Sequence, residues 1–292
     1  MSSIEIEAVN DPVRAAASDP VRAAASEPVR VVVSEPVIEL RRVSRRFITA
    51  DGHALLALRD FDLTVRRGEF VAIVGPTGCG KSTTLNLITG LAAATSGSVR
   101  VFGRAVEGID PRVGFVFQAD ALFPWRNVLD NVSAGPRYRG VAAAEAEAEA
   151  RVWIDRVGLA GFERHYPHQL SGGMRKRCAL AQTFINRPEV LLMDEPFSAL
   201  DVQTRVVMQD ALLRLWETTH ASVVFVTHDI DEAIGLADRV YVLTARPATV
   251  RSVHDIELPR PRVLSEIRYQ PRFVELSRLL WNDLRPAAVA AI

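Results

Sequence analysis

Glycine, lysine and serine residues in the first third of the chain are spaced so that they could bind phosphate groups. Residues 75–82 read G-P-T-G-C-G-K-S, which matches G-x-x-x-x-G-K-S, and they follow the apolar run 70–74. Glycines let successive backbone N–H groups face one anion, and the helix that follows adds its N-terminal dipole. We expect Lys81 to reach the β- and γ-phosphates of a nucleoside triphosphate and Ser82 to ligate Mg²⁺. The predicted phosphate loop comprises Gly75, Pro76, Thr77, Gly78, Cys79, Gly80, Lys81, Ser82 and Thr83.

Two adjacent acids, Asp194 and Glu195, end a second apolar run at residues 190–193. A carboxylate at the carboxyl end of a parallel strand lies in the crevice where α/β proteins bind their ligands. Asp194 is therefore expected to hold Mg²⁺, usually through water, and Glu195 to accept a proton from an attacking water. The acids could alternatively only cap a strand, but their position downstream of a phosphate loop favours phosphoryl-transfer chemistry.

A third motif, Ser171-Gly172-Gly173 after Leu170, opens a predicted helix that precedes the acidic strand. A serine and two glycines at a helix start form a second anion-binding surface, or simply an N-cap that follows a turn. An L-S-G-G sequence between a phosphate loop and an Asp-Glu strand resembles the ABC ATPases, the nucleotide-binding subunits of ABC transporters. The resemblance covers roughly residues 38–245 and rests on several motifs that occur in the family's order.

The resemblance implies that the nucleotide is ATP, bound with Mg²⁺, and gives roles to residues outside the loop. Gln118 would sense Mg²⁺ and the attacking water and would face a transmembrane partner. His228 would contact the γ-phosphate, and Phe47 would stack on adenine, where the family often has tyrosine. Asp201 would cross the interface with a second copy of the chain. The ATP site of that second copy would be completed by Ser171, Gly172 and Gly173.

Three further segments look similar to those of ABC importers for nitrate, sulfonate and taurine. They are residues 122–132 with the Pro124-Trp125 pair, residues 244–247 and residues 258–262. This similarity implies an integral membrane permease as the direct partner and a periplasmic or extracellular solute-binding protein as an indirect one. It also implies a peripheral location at the cytoplasmic face of the inner membrane. Trp125 would then be an exposed anchor for the permease, or else an ordinary core residue.

Alternating strands and helices predict an α/β fold around these motifs. The apolar runs 70–74, 190–193 and 223–226 are typical of buried parallel strands. The resemblance adds the expectation of a P-loop NTPase with a RecA-like parallel sheet core, an antiparallel β subdomain and a helical signature subdomain. Between residues 118 and 171, only the segment 141–157 has the length and composition of a helix.

Three regions are predicted along the chain. Residues 11–34 repeat an eight-residue unit that begins with an acid and a proline, which predicts a disordered extension over residues 1–36. Residues 37–257 form the predicted ABC ATPase domain, with its helical subdomain at about 119–186. Residues 258–292 form a tail with a short amphipathic helix at 273–284.

Composition argues against several other classes of protein. Lys and Arg together number 35, as do Asp and Glu, so no basic excess indicates nucleic acid as a partner. No stretch reaches the ~18 consecutive apolar residues of a membrane-spanning helix, and residues 1–10 lack a secretory signal pattern. The two cysteines are too few for a disulfide framework, so we expect reduced thiols. Cys79 is a candidate reactive thiol, because a helix N-terminus lowers a thiol pKa.

Two other functional classes stay open on the sequence alone. A soluble ABC ATPase of DNA repair or translation usually has a long coiled-coil insertion or two ATPase units, whereas the motifs here occur once. A P-loop kinase for a small molecule would share residues 75–82 but would have no use for the L-S-G-G motif or His228. The ATPase subunit of an importer is therefore the favoured hypothesis, and its solute is not readable from the chain.

Overall fold

The structure, a computed structural model, describes residues 36–48 and 51–289, with side chains through residue 285. The eight-residue repeats lie outside the described residues, and so does nearly all of the predicted disordered extension. The strands, numbered along the chain, are β1 Pro36–Ile48, β2 Ala54–Arg66, β3 Phe70–Val74, β4 Ser96–Val101, β5 Arg104–Ala105, β6 Val113–Val116, β7 Val190–Asp194, β8 Ser222–Thr227, β9 Arg239–Leu243 and β10 Val250–Asp255. The helices are α1 Lys81–Thr89, α2 Val128–Tyr138, α3 Ala143–Arg156, α4 Gly172–Phe184, α5 Val202–Thr219, α6 Ile230–Leu236, α7 Leu264–Ile267 and α8 Pro271–Val289.

The larger sheet positions the predicted catalytic and phosphate-binding residues. Its six strands have the order β10-β9-β3-β8-β7-β6, and all neighbours are parallel except β10 with β9. β3, β8 and β9 are wholly buried, which is why β3 and the centre of β8 are apolar on both faces. Because parallel strands end at the same edge, the loops after β3, β7 and β8 meet there. Gly75, Glu195 and His228 follow those three strands directly.

A second, antiparallel sheet has the order β2-β1-β4-β5. Its buried face includes Val37, Leu40, Phe61 and Leu63, which pack into one hydrophobic cluster with Val71 and other residues of the larger sheet. The predicted strands at 37–43 and 61–65 are confirmed, although both extend further. Phe47 lies near the end of β1, opposite Leu55 on β2. The smaller sheet therefore brings a half-exposed aromatic ring to the nucleotide site.

The helical region differs from the prediction of a single helix between residues 118 and 171. That prediction was wrong, because α2 forms there in addition to α3. Gly135 and Pro136 near the end of α2 oppose a helix assignment from propensity. The helix nevertheless begins with a strong cap, since Asn127 accepts a hydrogen bond from the Asp130 N–H at 2.8 Å. At 11 and 14 residues, α2 and α3 are far shorter than a coiled-coil insertion.

The C-terminal segment joins the main core. β10, which was not predicted, pairs with β9, and the predicted terminal helix at 273–284 is longer, as α8. Leu264, Phe273 and Leu280 are buried in the same cluster as the central strands. The domain boundary at residue 257 stays a prediction. Within residues 36–48 and 51–289, no helix combines the length and apolar character needed to cross a membrane.

Arg262 fastens this C-terminal segment to the core. Its side chain is only 6% exposed and donates five hydrogen bonds to backbone carbonyl groups. Three acceptors lie at the end of α6, where carbonyl groups without helical partners favour a cation. Burial lowers the pKa of Arg262 to about 10, so the guanidinium remains protonated at neutral pH. The acceptors are the carbonyl oxygens of Ile234, Gly235, Ala237, Ile256 and Leu258.

Replacing Arg262 by methionine is expected to lower the free energy of unfolding by about 3 kcal/mol or more. The substitution keeps the apolar stem but leaves buried carbonyl groups without donors, at about 1–3 kcal/mol each. Chemical denaturation of Arg262→Met measures the loss. Arg278→Met on α8 is the control, because Arg278 is exposed and should change stability by less than about 0.5 kcal/mol. Equal stability of the two variants would contradict this role of Arg262.

Candidate active site

The phosphate loop connects β3 to α1, as the sequence predicts. Gly78 and Gly80 adopt φ angles of 71° and 132°, which side chains other than glycine rarely allow. A Cβ atom on Gly80 would also lie 2.9 Å from Leu58 Cδ2 and 3.1 Å from the Ala57 carbonyl oxygen. Backbone conformation and close packing against β2 therefore both require glycine at position 80.

Lys81 lies inside this loop, with its side chain 5% exposed. Its Nζ donates to the carbonyl oxygens of Gly75 at 3.0 Å and Pro76 at 3.2 Å. Glu195 Oε1 is 3.6 Å away. The ammonium group is thus held at the point where the loop, β3 and the acidic strand meet, and there it can exchange these partners for phosphate oxygens.

Ser82 and Asp194 form a pair of oxygen ligands. The Ser82 hydroxyl donates to Asp194 Oδ1 at 3.0 Å. Burial raises the pKa of Asp194 above its ordinary value, and the hydrogen bond from Ser82 offsets part of that rise. A hydroxyl and one carboxylate fit Mg²⁺, which usually takes one or two carboxylates together with substrate phosphates and water. Ionised Asp194 and Ser82 would hold the ion here.

Glu195 contacts two of the other predicted residues at once. Its Oε2 lies 3.0 Å from His228 Nδ1, while its Oε1 faces Lys81. The backbone of Glu195 has φ 43°, in the left-handed region that costs a non-glycine residue about 1–3 kcal/mol. Its N–H donates to the Val226 carbonyl group of β8 at 2.9 Å, which helps to fix this conformation. Such strain is typical of functional sites, and the role of Glu195 as general base stays a prediction.

Gln118 reaches the same edge from the end of β6. Its Nε2 donates to the Ser198 hydroxyl at 3.4 Å, and Ser198 donates in turn to the Glu195 carbonyl group at 3.0 Å. These bonds link Gln118 to the acidic strand. Its predicted role as a sensor of Mg²⁺ and water is compatible with this place and stays a prediction.

Lys176 is a residue that the sequence analysis missed. It lies on α4, five residues after Ser171, and is 2% exposed. Its Nζ donates to the carbonyl oxygens of Phe117 at 3.2 Å and Gln118 at 2.9 Å, and lies 3.3 Å from Asp120 Oδ1. α4 therefore holds the backbone around Gln118 directly. A lysine in a helical segment gives no local signal of such a contact.

A cavity of about 380 Å³ opens over the phosphate loop. Phe47 forms part of its wall, and the Arg45 guanidinium lies 4.6 Å from the centre of the Phe47 ring. Arg246 also lines the cavity, although the sequence analysis noted it only as part of the 244–247 segment. The lining residues are Phe47, Leu55, Ala57, Thr77, Gly78, Gly80, Lys81, Ser82, Thr83, Gln118, Glu195 and Arg246.

Ser171, Gly172, Gly173 and Asp201 are absent from the described residues that line this cavity. The Ser171 hydroxyl caps α4 by accepting from the Met174 N–H at 3.3 Å. Asp201 caps α5 by accepting from the Thr204 N–H at 3.0 Å. The two helix starts are close neighbours, since a Cβ on Gly173 would lie 2.6 Å from Thr204 Cγ2. These residues therefore form a separate surface patch rather than part of the chain's own cavity.

Cys79 does not fit the description of a reactive thiol. The residue is 2% exposed, and burial raises its thiol pKa, which the charges of Lys81 and Arg246 offset only in part. Both Cys79 and Cys178 are free and buried. The expected reduced thiols are consistent with this placement, whereas a low thiol pKa at Cys79 is contradicted.

Comparison with known proteins now identifies the family. The family described as ABC transporter matches residues 58–198. The nitrate import ATP-binding protein NrtD of Synechocystis sp. is 43% identical to this chain, over 85% of the chain and 95% of the relative. The chain belongs to the ABC transporter ATP-binding family. The taurine import ATP-binding protein TauB of Jannaschia sp. is 38% identical to this ABC ATPase, over 84% of the chain and 94% of the relative.

A solved structure agrees with this assignment. The ATP-binding cassette MJ0796, solved as a dimer in a post-hydrolysis state with ADP and Pi, is 31% identical with a TM-score of 0.67. The match covers 76% of this ABC ATPase and 100% of that chain. The predicted P-loop NTPase fold and the resemblance to the nitrate and taurine importer group are confirmed. The protein is an ATPase coupled to transport, and the small-molecule kinase hypothesis is excluded.

Proposed function

We propose that this ABC ATPase powers the uptake of a small anion, of the nitrate, sulfonate or taurine type, through an integral membrane permease. The observation that carries the proposal is the similarity to a nitrate import and a taurine import ATP-binding protein over most of both chains. A solute-binding protein outside the membrane would act only indirectly, by delivering solute to the permease. The ATPase itself would lie peripherally at the cytoplasmic face of the inner membrane.

Within one site, the described geometry supports a division of roles. ATP with Mg²⁺ supplies the phosphoryl group whose transfer to water releases free energy. Phe47 stacks on the adenine, the loop N–H groups and Lys81 bind the phosphates, and Ser82 and Asp194 hold Mg²⁺. Glu195 accepts the proton of the attacking water, and His228, 3.0 Å from it, positions the γ-phosphate. Gln118 responds to the state of this site, through the hydrogen bonds described above.

A second copy of the chain is expected to complete each site. Ser171 to Gly173 and Asp201 lie in a patch outside the chain's own cavity, yet they offer hydroxyl and N–H groups at helix starts. MJ0796 was solved as a dimer, which supports pairing of two copies. In the pairing that we propose, the two copies lie head to tail and that patch meets the partner's ATP. Ligands shared across an interface stabilise a dimer only while they are bound. Hydrolysis would then open the dimer and drive the permease.

The permease is proposed to dock beside Gln118. Trp125 is 71% exposed, and its ring lies 5.8 Å from that of Phe123. Arg126 packs over Phe123 and donates to the Tyr138 hydroxyl at 2.9 Å, which fixes this aromatic group. A cavity of about 470 Å³, lined in part by Phe123 and Tyr138, adjoins it. Aromatic and arginine side chains in such a setting are frequent anchors of protein interfaces.

Co-purification from detergent-solubilised membranes tests the proposed function. The Glu195→Gln variant with ATP and Mg²⁺ should carry an integral membrane permease with it, and Trp125→Ala in that background should lose the permease. Trp281→Ala is the matched control, because Trp281 is also exposed but lies on α8. Recovery of a soluble ATP-bound dimer alone, while a control transporter stays intact, would contradict the proposed complex with a permease.

The solute is tested with the recovered complex and its binding protein in liposomes. Nitrate, taurine and an alkyl sulfonate are compared with chloride as stimulators of ATP hydrolysis. Stimulation by one of the first three and not by chloride supports the proposed solute class. Stimulation by a solute without an anionic group, with none by these three, would contradict it.

A further inference from the structure

Arg246 makes an unusual contact with the phosphate loop. Its Nε and Nη2 atoms both donate to the carbonyl oxygen of Gly78, at 3.1 and 2.6 Å. Arg246 follows β9 and lies far along the chain from Gly78. The contact therefore joins the loop after β9 to the loop after β3, at the wall of the nucleotide cavity.

The Gly78 carbonyl group takes its donors from outside the loop, from Arg246. In an anion-binding loop the N–H groups turn inward, so that carbonyl groups must point away from the phosphates. Gly78 precedes α1, which begins at Lys81, and its φ of 71° sets the direction of the turn. The planar guanidinium of Arg246 supplies two donors to this one acceptor, which Lys, with a point charge, would match less well.

The segment that carries Arg246 is firmly anchored. The neighbouring Ala248 is buried, its N–H donates to the Ala57 carbonyl group at 2.9 Å, and its carbonyl group accepts from the Arg59 N–H at 3.0 Å. Thr244 and Thr249 hydrogen-bond across the same loop. Because Ala57 and Gly78 both line the cavity, this anchoring fixes Arg246 relative to the site.

The charge of Arg246 is also available to a ligand. Within the described part of the chain, Arg246 forms no ion pair with a carboxylate, whereas Lys81 lies 3.6 Å from Glu195. The Arg246 side chain is exposed at the cavity, and its field reaches the loop interior, where it contributes to the thiol pKa of Cys79. An incoming polyphosphate therefore meets a second cation besides Lys81.

We propose that Arg246 is a positioning residue for nucleotide binding. It holds the Gly78 carbonyl group, and so keeps the phosphate loop in its anion-binding conformation, while its unpaired charge attracts the polyphosphate. The inference rests on the nucleotide site assigned above. Because the loop cradles the α- and β-phosphates, Arg246 serves ATP and ADP alike and contributes to binding more than to the chemical step.

The test compares Arg246→Ala and Arg246→Lys with the unchanged protein, in calorimetric titrations with MgATP and MgADP. Arg246→Ala should weaken the binding of both nucleotides about tenfold, as expected for two charge-assisted hydrogen bonds that are partly exposed. Arg246→Lys should fall between the two. KM for ATP should rise in parallel while kcat changes less than twofold.

Thermal unfolding separates positioning from general stability. Without nucleotide, Arg246→Ala should melt within about 2 °C of the unchanged protein, because the side chain is exposed. Its stabilisation by MgATP should be reduced. Arg251→Ala, an exposed arginine on β10 outside the cavity lining, is the matched control and should bind as the unchanged protein does.

Two results would overturn the inference, and a third would overturn its basis. Dissociation constants of Arg246→Ala within twofold of the unchanged protein contradict a positioning role. A large loss of stability without nucleotide, matched by Arg246→Lys, would make the contact merely structural. If the unchanged protein bound no MgATP, the nucleotide site itself, and not Arg246 alone, would be assigned wrongly.

Discussion

The Glu195→Gln variant is expected to bind MgATP normally and to hydrolyse it at least about 100-fold more slowly than the unchanged protein. A general base contributes about 10²–10⁴-fold to a rate, and an amide cannot accept the proton of water. Glutamine has the same shape as glutamate and can still contact His228 and Lys81, whose distances to Glu195 are 3.0 and 3.6 Å. Binding is therefore preserved while the proton transfer is lost.

Two measurements are needed for this variant. Equilibrium titration with MgATP gives the dissociation constant, and a steady-state phosphate-release assay gives kcat. Glu189→Gln is the matched control, because Glu189 immediately precedes β7 and lies at the opposite end of that strand, where it pairs with Arg67 at 3.1 Å. Turnover of Glu195→Gln at the unchanged rate would assign the base to another residue.

The Lys81→Ala variant is expected to lose about 100-fold or more in affinity for MgATP. Lys81 is the group whose ammonium would bridge two phosphates, and each charge-assisted hydrogen bond contributes about 1.5 kcal/mol or more. Two of them amount to about 3 kcal/mol, which corresponds to roughly two factors of ten in the dissociation constant. The loss should be larger than that of Arg246→Ala, because Lys81 contacts the phosphates themselves.

The affinity of Lys81→Ala must be shown to fall because a phosphate contact is lost, and not because the phosphate loop has changed its conformation. Lys81 also donates to the Gly75 and Pro76 carbonyl groups, so its removal could loosen the loop in the absence of nucleotide. Calorimetric titration is therefore paired with thermal unfolding of the unliganded protein. An unchanged dissociation constant in Lys81→Ala would contradict the assignment of residues 75–83 as the phosphate loop.

Local sequence patterns predicted the parts of the fold that depend on residues close together in the sequence. The runs at 70–74, 190–193 and 223–226 are buried parallel strands, since only buried strands are apolar at every position. α1 begins at Lys81 because Gly80 supplies the turn and the residues that follow are compatible with a helix. The order of the motifs alone predicted that Lys81, Asp194 and Glu195 lie in one site.

Other features depend on contacts that no local pattern contains. α2 forms despite Gly135 and Pro136, because Asn131, fully buried, ties the helix to the preceding loop with hydrogen bonds to Phe123, Arg126 and Asn127. β10 was missed because its two apolar residues, Val250 and Val253, are three positions apart and so do not show the alternation of a strand, and because this edge strand has no buried residue. Lys176, Arg246 and Arg262 act by donating to carbonyl groups that are distant in the sequence. From the sequence alone, a lysine or an arginine predicts only a solvated charge.

The two walls of the nucleotide cavity belong to different sheets. Phe47 extends from the antiparallel sheet and Lys81 follows the parallel one. A nucleotide bound between them therefore acts as a removable cross-link between the two sheets. The amide groups of Phe47 and Leu55, at the end of the β1–β2 hairpin, should exchange hydrogen more slowly as the nucleotide concentration rises above its dissociation constant. Hydrogen exchange at the hairpin of the antiparallel sheet would thus report whether nucleotide occupies the phosphate loop, which follows a strand of the other sheet.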